Sequence, residues 1–158
     1  MLDSNMTQHY RWVMLPGFED GLLPPGLHSA GWSEVVVRFG VSQHRRWLLE
    51  GAQAALRELG RVGCTRAYLD GSFVTAKAIP GDYDLCWELD QVDLPNLDKV
   101  FFDVYPPRAA QHAKYRGDLL PNVSEGDSGV LIVEFFQRDK ETGRPKGIVV
   151  LDPRSVPQ

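Results

Sequence analysis

An α/β (α+β) domain, a small mixed sheet with helices packed on it, is the fold class that this sequence predicts. Three observations carry that expectation. Residues 42–63 hold an apolar stripe at helical spacing, residues 64–71 and 83–89 have strand character, and residues 129–152 offer two further strands around a turn. Helical and strand segments thus alternate along one chain, which suits a layer of helices on a sheet. At 158 residues the chain has the length of one domain and can bury a core without staples. Residues 1–29, ending in the Gly- and Pro-rich "GFEDGLLPPGLH", are expected to form an irregular lead-in packed on a domain of residues 30–158.

Taken in order, "AGWSEVVVRF" (30–39) reads as a short helix with Trp32, Val35, Val36 and Phe39 on one face and Gly40 ending it. In "SQHRRWLLEGAQAALRELGRVG" (42–63), Leu48, Ala52, Ala55 and Leu59 form the stripe. Ser42 can cap this helix and Gly60 can stop it. "CTRAYLDG" (64–71) is expected to be a strand ending at a Gly-Ser turn, and "YDLCWEL" (83–89) a strand with period-two alternation. "LPNLDKVFFDVY" (94–105) fits helix or strand. "PRAAQHAKYRG" (107–117) reads as helical, with Pro107 in its first turn. "GVLIVEFFQRD" (129–139) is rich in β-branched and aromatic residues and reads as a strand. "KETGRPK" is then a turn and "GIVVLD" (147–152) the returning strand of a C-terminal β-hairpin. The tryptophans and most phenylalanines are expected in the core.

Composition narrows the function classes. Apolar residues make up 43% and charged residues 24%, a globular mixture. No apolar run approaches the roughly 20 residues that a membrane span needs. "MLDSNMTQHYRW" lacks the basic and apolar regions of a signal peptide. Cys64 and Cys86 make neither a disulfide framework nor a zinc site, and read as two buried reduced thiols of a cytoplasmic protein. A net charge of -4 argues against a globally basic nucleic-acid binder or a reader of DNA grooves.

The chemistry concentrates in "YLDGSFVTAKAIPGDYDLCWEL" (68–89). Side chains alternate along a strand, so Asp82 and Asp84 project from one face. Two carboxylates held so close repel, and a divalent cation, Mg2+ or Mn2+, is the usual remedy. Gly71 and Ser72 stand where a strand turns into "FVTAKA", a segment that can make a helical turn or two. Glycine lets backbone approach a phosphate, and the hydroxyl adds a donor. A phosphate cradle beside a metal platform suits phosphoryl or nucleotidyl transfer.

This pattern resembles the DNA-polymerase-β-like nucleotidyltransferase superfamily: Gly-Ser, a gap of about nine residues, Asp-apolar-Asp-apolar, then a third carboxylate between apolar neighbours on a later strand. The resemblance covers roughly residues 42–152 and implies a nucleotidyltransferase-like core. The stretches "LPPGLH", "HRRWLLEG", "YLDGSFVT", "PGDYD", "EFFQRD" and "GRPKGIV" are also similar to a small bacterial family of unknown function with such a core. The resemblance implies a metal-dependent transferase that moves an NMP from an NTP to a hydroxyl on protein or RNA. It places Asp82, Asp84 and Glu134 as catalytic metal ligands, with Glu134 of "IVEFF" the third carboxylate, and Gly71 and Ser72 on the β- and γ-phosphates. Glu134 is preferred to Glu88, which lies too far along its strand, and to Asp127, which sits in a turn-like "SEGDSG". The chain departs from the superfamily at Asp70, where an apolar residue is usual, and lacks the Arg-Gly that often follows the serine. Asp70 either bonds the Gly-Ser turn or joins the carboxylates.

Other residues stay open between two readings. Lys77 either touches a γ-phosphate or is solvated. Arg108, His112, Lys114 and Arg116 either bind triphosphate or RNA backbone, or line a solvated helix face. The whole chain has a second reading, a non-catalytic module of the same fold. That module would be the antitoxin or regulatory partner of a toxin–antitoxin or phage-defence pair, with a cognate protein as its ligand.

Overall fold

The computed structural model describes residues 14–158, so the first part of the expected lead-in and the segment read for a signal peptide lie outside it. Five strands form one mixed sheet in the order β1-β5-β2-β3-β4. They are β1 (Gly26–Ser29), β2 (Ala67–Asp70), β3 (Tyr83–Trp87), β4 (Gly117–Pro121) and β5 (Gly147–Leu151). The pairs β1/β5 and β3/β4 are parallel, whereas β2 runs antiparallel to both β3 and β5. Among the described residues, four α-helices accompany the sheet: α1 (Trp32–Phe39), α2 (Gln43–Arg61), α3 (Ala109–Tyr115) and α4 (Ile132–Phe136). The expected mixed α+β class is the observed one.

Helix α2 is the main cover of one sheet face. Its stripe of Leu48, Ala52, Ala55, Leu56 and Leu59 is fully buried with Leu69, Leu85, Leu119, Val149 and Leu151 of the strands. Each such leucine contributes roughly 1.5–3 kcal/mol by leaving water. Ser42 caps α2, its Oγ accepting the Arg45 N–H at 3.1 Å. Gly60 does not stop the helix, which runs on to Arg61. A Cβ at Gly60 would lie 2.6 Å from Pro153 O, and one at Gly51 would lie 2.1 Å from Tyr115 O. Both glycines are therefore there for close approach, each at a helix cost of about 1 kcal/mol.

Strand alternation turns Tyr68 and Cys86 to the opposite face. There they pack with Ile148 and Val150 under Ile132, Val133 and Phe136 of α4. Helix α4 overturns the expected strand at 129–139 and, with it, the C-terminal hairpin. Ile132, Val133 and Phe136 meet the sheet at helical spacing, and a short apolar run cannot distinguish that from a strand. Only an isolated bridge, Arg138 to Pro145, remains of the hairpin. β5 pairs instead with β1 and β2.

The described part of the lead-in also differs from expectation. Leu15 and Leu23 are buried, and residues 26–29 enter the sheet as β1. The ambiguous 94–105 segment contains two short 3-10 turns, Leu94–Asn96 and Lys99–Phe102. β4 had no counterpart in the sequence reading. Trp32 and Trp87 are core residues, but Trp47, Phe102 and Phe135 are exposed, as is Val36 of the α1 face. Cys64 and Cys86 are buried free thiols, and burial raises the Cys64 pKa to about 11. Among the described residues, no helix is long and apolar enough to cross a membrane.

Candidate functional site

Three neighbouring strands put three carboxylates in one row. Asp70 ends β2 and is registered with Asp84 of β3, which is registered with Asp118 of β4. Registered residues share a face and adjacent strands lie about 4.8 Å apart, so these groups repel. Asp82 stands two residues before Asp84 and completes an acidic corner on the face that carries α4.

The ends of the row are compensated. Asp70 and Lys146 are both buried, with Lys146 Nζ 3.2 Å from Asp70 Oδ1. His112 Nε2 lies 2.8 Å from Asp118 Oδ1 and 3.8 Å from Asp82 Oδ2. Arg108 adds a contact to Asp118 at 3.5 Å. Asp84, in the middle, makes no ion pair among the described residues. Burial, then Asp70, Asp82 and Asp118, pushes its pKa up to about 7. Burial also raises Asp70 to about 6, against the pull of Lys146. Asp82 is raised by burial and by Asp118, with His112 opposing.

The Gly-Ser turn is built against this corner. Gly71 has φ +85°, and a Cβ there would lie 2.7 Å from Asp84 Oδ2. Ser72–Val74 form one 3-10 turn in place of the longer helix expected. Ser72 Oγ makes no hydrogen bond among the described residues, and Lys77 is exposed. The first turn of α2 holds the loop that joins Gly71 to Asp82. The buried Arg45 guanidinium donates to the carbonyls of Phe39, Phe73, Thr75 and Lys77. The His44 ring bonds Pro80 O. Arg45 was not legible as a site residue, because its loop partners are backbone carbonyls about 30 positions away.

The sequence-derived candidates therefore separate. Asp82, Asp84, Gly71 and Ser72 come together. Glu134 does not lie mid-strand: it sits exposed on α4 and lines a surface depression with Pro25, Gly26, Arg138 and Lys146. The third carboxylate of the row is Asp118, which the sequence reading missed. Glu88 is occupied by structural bonds from Tyr68 and Asn122, each 2.7 Å long. Of the basic helix, Arg108 and His112 reach the corner. Lys114 pairs with Asp98, whereas Arg116 bonds Trp47 O and Glu50 and lies over the Trp47 ring.

A divalent cation fits the donor set. Asp82, Asp84 and Asp118 offer hard oxygen ligands, and the central carboxylate has no ion-pair partner among the described residues. Asp82, His112 and Asp118 present one ligand atom each within 4.8 Å of one another. No curated protein and no solved structure matches the chain. Residues 16–152 match the family described as "Family of unknown function (DUF6932)", and the chain belongs to that family.

Proposed function

We propose that this protein is a metal-dependent nucleotidyltransferase that moves an NMP from an NTP to a hydroxyl on protein or RNA. The observation that supports it best is Asp84, without an ion pair among the described residues, held against Gly71 and flanked in register by Asp118. A structural role alone would not need three buried or half-buried like charges side by side.

Asp82, Asp84 and Asp118 would hold Mg2+ or Mn2+. When bound, that cation supplies Lewis acidity at the α-phosphate and eases deprotonation of the acceptor. The chain's own groups do the rest. Gly71 allows close backbone approach to the β- and γ-phosphates, and the Ser72 hydroxyl donates to them. Arg45 and His44 keep the 71–82 loop in place, so the phosphates meet a positioned surface rather than a mobile one. Asp118 would also take the proton of the attacking hydroxyl. Lys77, exposed on the same loop, can reach a phosphate without being part of the fold.

The test is to incubate the protein with each radiolabelled NTP, Mg2+ or Mn2+, and whole-cell protein and RNA. Label entering one acceptor pool, and lost in Asp84→Asn, supports the reading. No label in any pool, with no nucleotide binding, would leave the non-catalytic module in its place.

A further inference from the structure

Among the described residues, His112 brings a metal-binding nitrogen to the hard oxygens of the acidic corner. Its Nε2 lies 2.8 Å from Asp118 Oδ1 and 3.8 Å from Asp82 Oδ2. Two donors bound to one ion at about 2.1–2.2 Å lie roughly 3.0 to 4.3 Å apart, depending on the angle between them. The 3.8 Å separation falls in that range, the hydrogen-bonded 2.8 Å lies just below it, and all three ligand atoms lie within 4.8 Å of one another, so modest side-chain rotations would let one cation engage all three. The backbone fixes the set: Asp118 is registered with Asp84 on β4, and α3 runs straight into that strand. Gln111, the neighbour of His112, is fully buried and clamps α3 to β4, its Nε2 donating to Leu119 O and its Oε1 accepting the Leu119 N–H.

We propose that His112 is itself a cation ligand, and that the Asp82–His112–Asp118 triad selects a first-row transition dication such as Mn2+ over Mg2+. Magnesium prefers an all-oxygen octahedron and keeps its waters, whereas imidazole suits transition ions. A purely magnesium site gains nothing from a nitrogen at this position. The ion replaces the proton that otherwise joins Nε2 to Asp118, and two carboxylates plus one neutral imidazole balance its two charges while leaving coordination positions open for a phosphate oxygen. Arg108, 3.5 Å from Asp118, stays at the flank and moderates that carboxylate. The inference rests on the proposed reading in taking Asp82 and Asp118 as cation ligands, but not on the transfer reaction.

The test uses the full chain without nucleotide. Mn2+ and Mg2+ affinities are measured by titration, and electron spin-echo spectroscopy of the Mn2+-loaded protein reports any bound 14N. The expected result is at least tenfold tighter binding of Mn2+ than Mg2+, with a 14N modulation from one imidazole. His112→Gln should abolish the modulation and weaken Mn2+ at least tenfold, while changing Mg2+ less than twofold. Equal affinity for the two ions, or Mn2+ bound at Asp82 and Asp118 without 14N coupling, overturns the proposal. The wild-type spectrum decides this even if the variant folds poorly. Loss of His112 ligation with transfer still dependent on Asp84 would remove this inference alone. Transition-ion binding without transfer to any acceptor would remove the proposed function alone.

Discussion

Gly71 and Asp84 are packed so tightly that a single methyl group on the glycine would lie 2.7 Å from Asp84 Oδ2. The contact joins the turn after β2 to the middle of the carboxylate row. Gly71 also has a positive φ, so any side chain there is strained by the backbone as well as by the carboxylate.

Gly71→Ala is expected to cost about 1–3 kcal/mol, seen as a lower Tm. Because part of that cost is the clash with Asp84, Asp84→Ala should recover some of it. A double-mutant cycle is predicted to give a coupling of about 0.5–3 kcal/mol between the two positions. Additive effects would mean that the contact is not felt.

Stability should fall as pH rises from about 4 to about 7. The folded-state pKa values of Asp70 and Asp84, near 6 and 7, lie above the ordinary 3.8. Over that window the folded chain binds more protons than the unfolded one, so the acid side is favoured. Asp98, Asp139 and Asp152 are lowered by their hydrogen-bond partners, so the stability they contribute is lost only below the window. Asp84→Asn removes the central charge, and its melting curve against pH should be flatter than wild type and higher at pH 8. Parallel profiles for the two proteins would refute the assignment.

Lys146→Met leaves Asp70 buried without its partner. The expected loss is about 3–5 kcal/mol near neutral pH, and Asp70→Asn in the same chain should restore much of it. Chemical denaturation of the single and double variants measures both.

Arg45→Met should free the loop between Gly71 and Asp82, since three of its carbonyls, those of Phe73, Thr75 and Lys77, lose their donor. Faster hydrogen exchange in residues 73–80, with α2 still protected, is the predicted signature, and a stability loss of at least about 2 kcal/mol should accompany it. Unchanged exchange in the loop would assign Arg45 to the core alone.

Local signals in the sequence were sufficient for the elements whose partners are near or whose period is long. The α2 stripe, the Ser42 cap, β2, β3 and the Gly-Ser and Asp-x-Asp pair all fall in this class. What stayed hidden depends on contacts far along the chain. "GDLLP" is too short to declare itself a strand, and its parallel pairing with β3 follows from α3 docking through Gln111. Asp118 was therefore invisible as a neighbour of Asp84. The reverse error at Glu134 has the same root. "IVEFF" has strand composition, yet five residues of helix pack Ile132, Val133 and Phe136, partly buried, on the sheet and turn Glu134 to solvent. A charge among apolar residues then needs no metal, because the helix gives it a wet face.

The most direct measurement of the central claim compares Asp118→Asn with Glu134→Gln in the labelled-NTP assay, once both are shown to melt cooperatively. If the carboxylate row is the catalytic platform, Asp118→Asn should lower transfer by at least 100-fold, an effect of the size expected for loss of a general base (roughly 10²–10⁴), and Glu134→Gln should retain it within about twofold. Transfer that survives Asp118→Asn but is lost in Glu134→Gln would contradict the account.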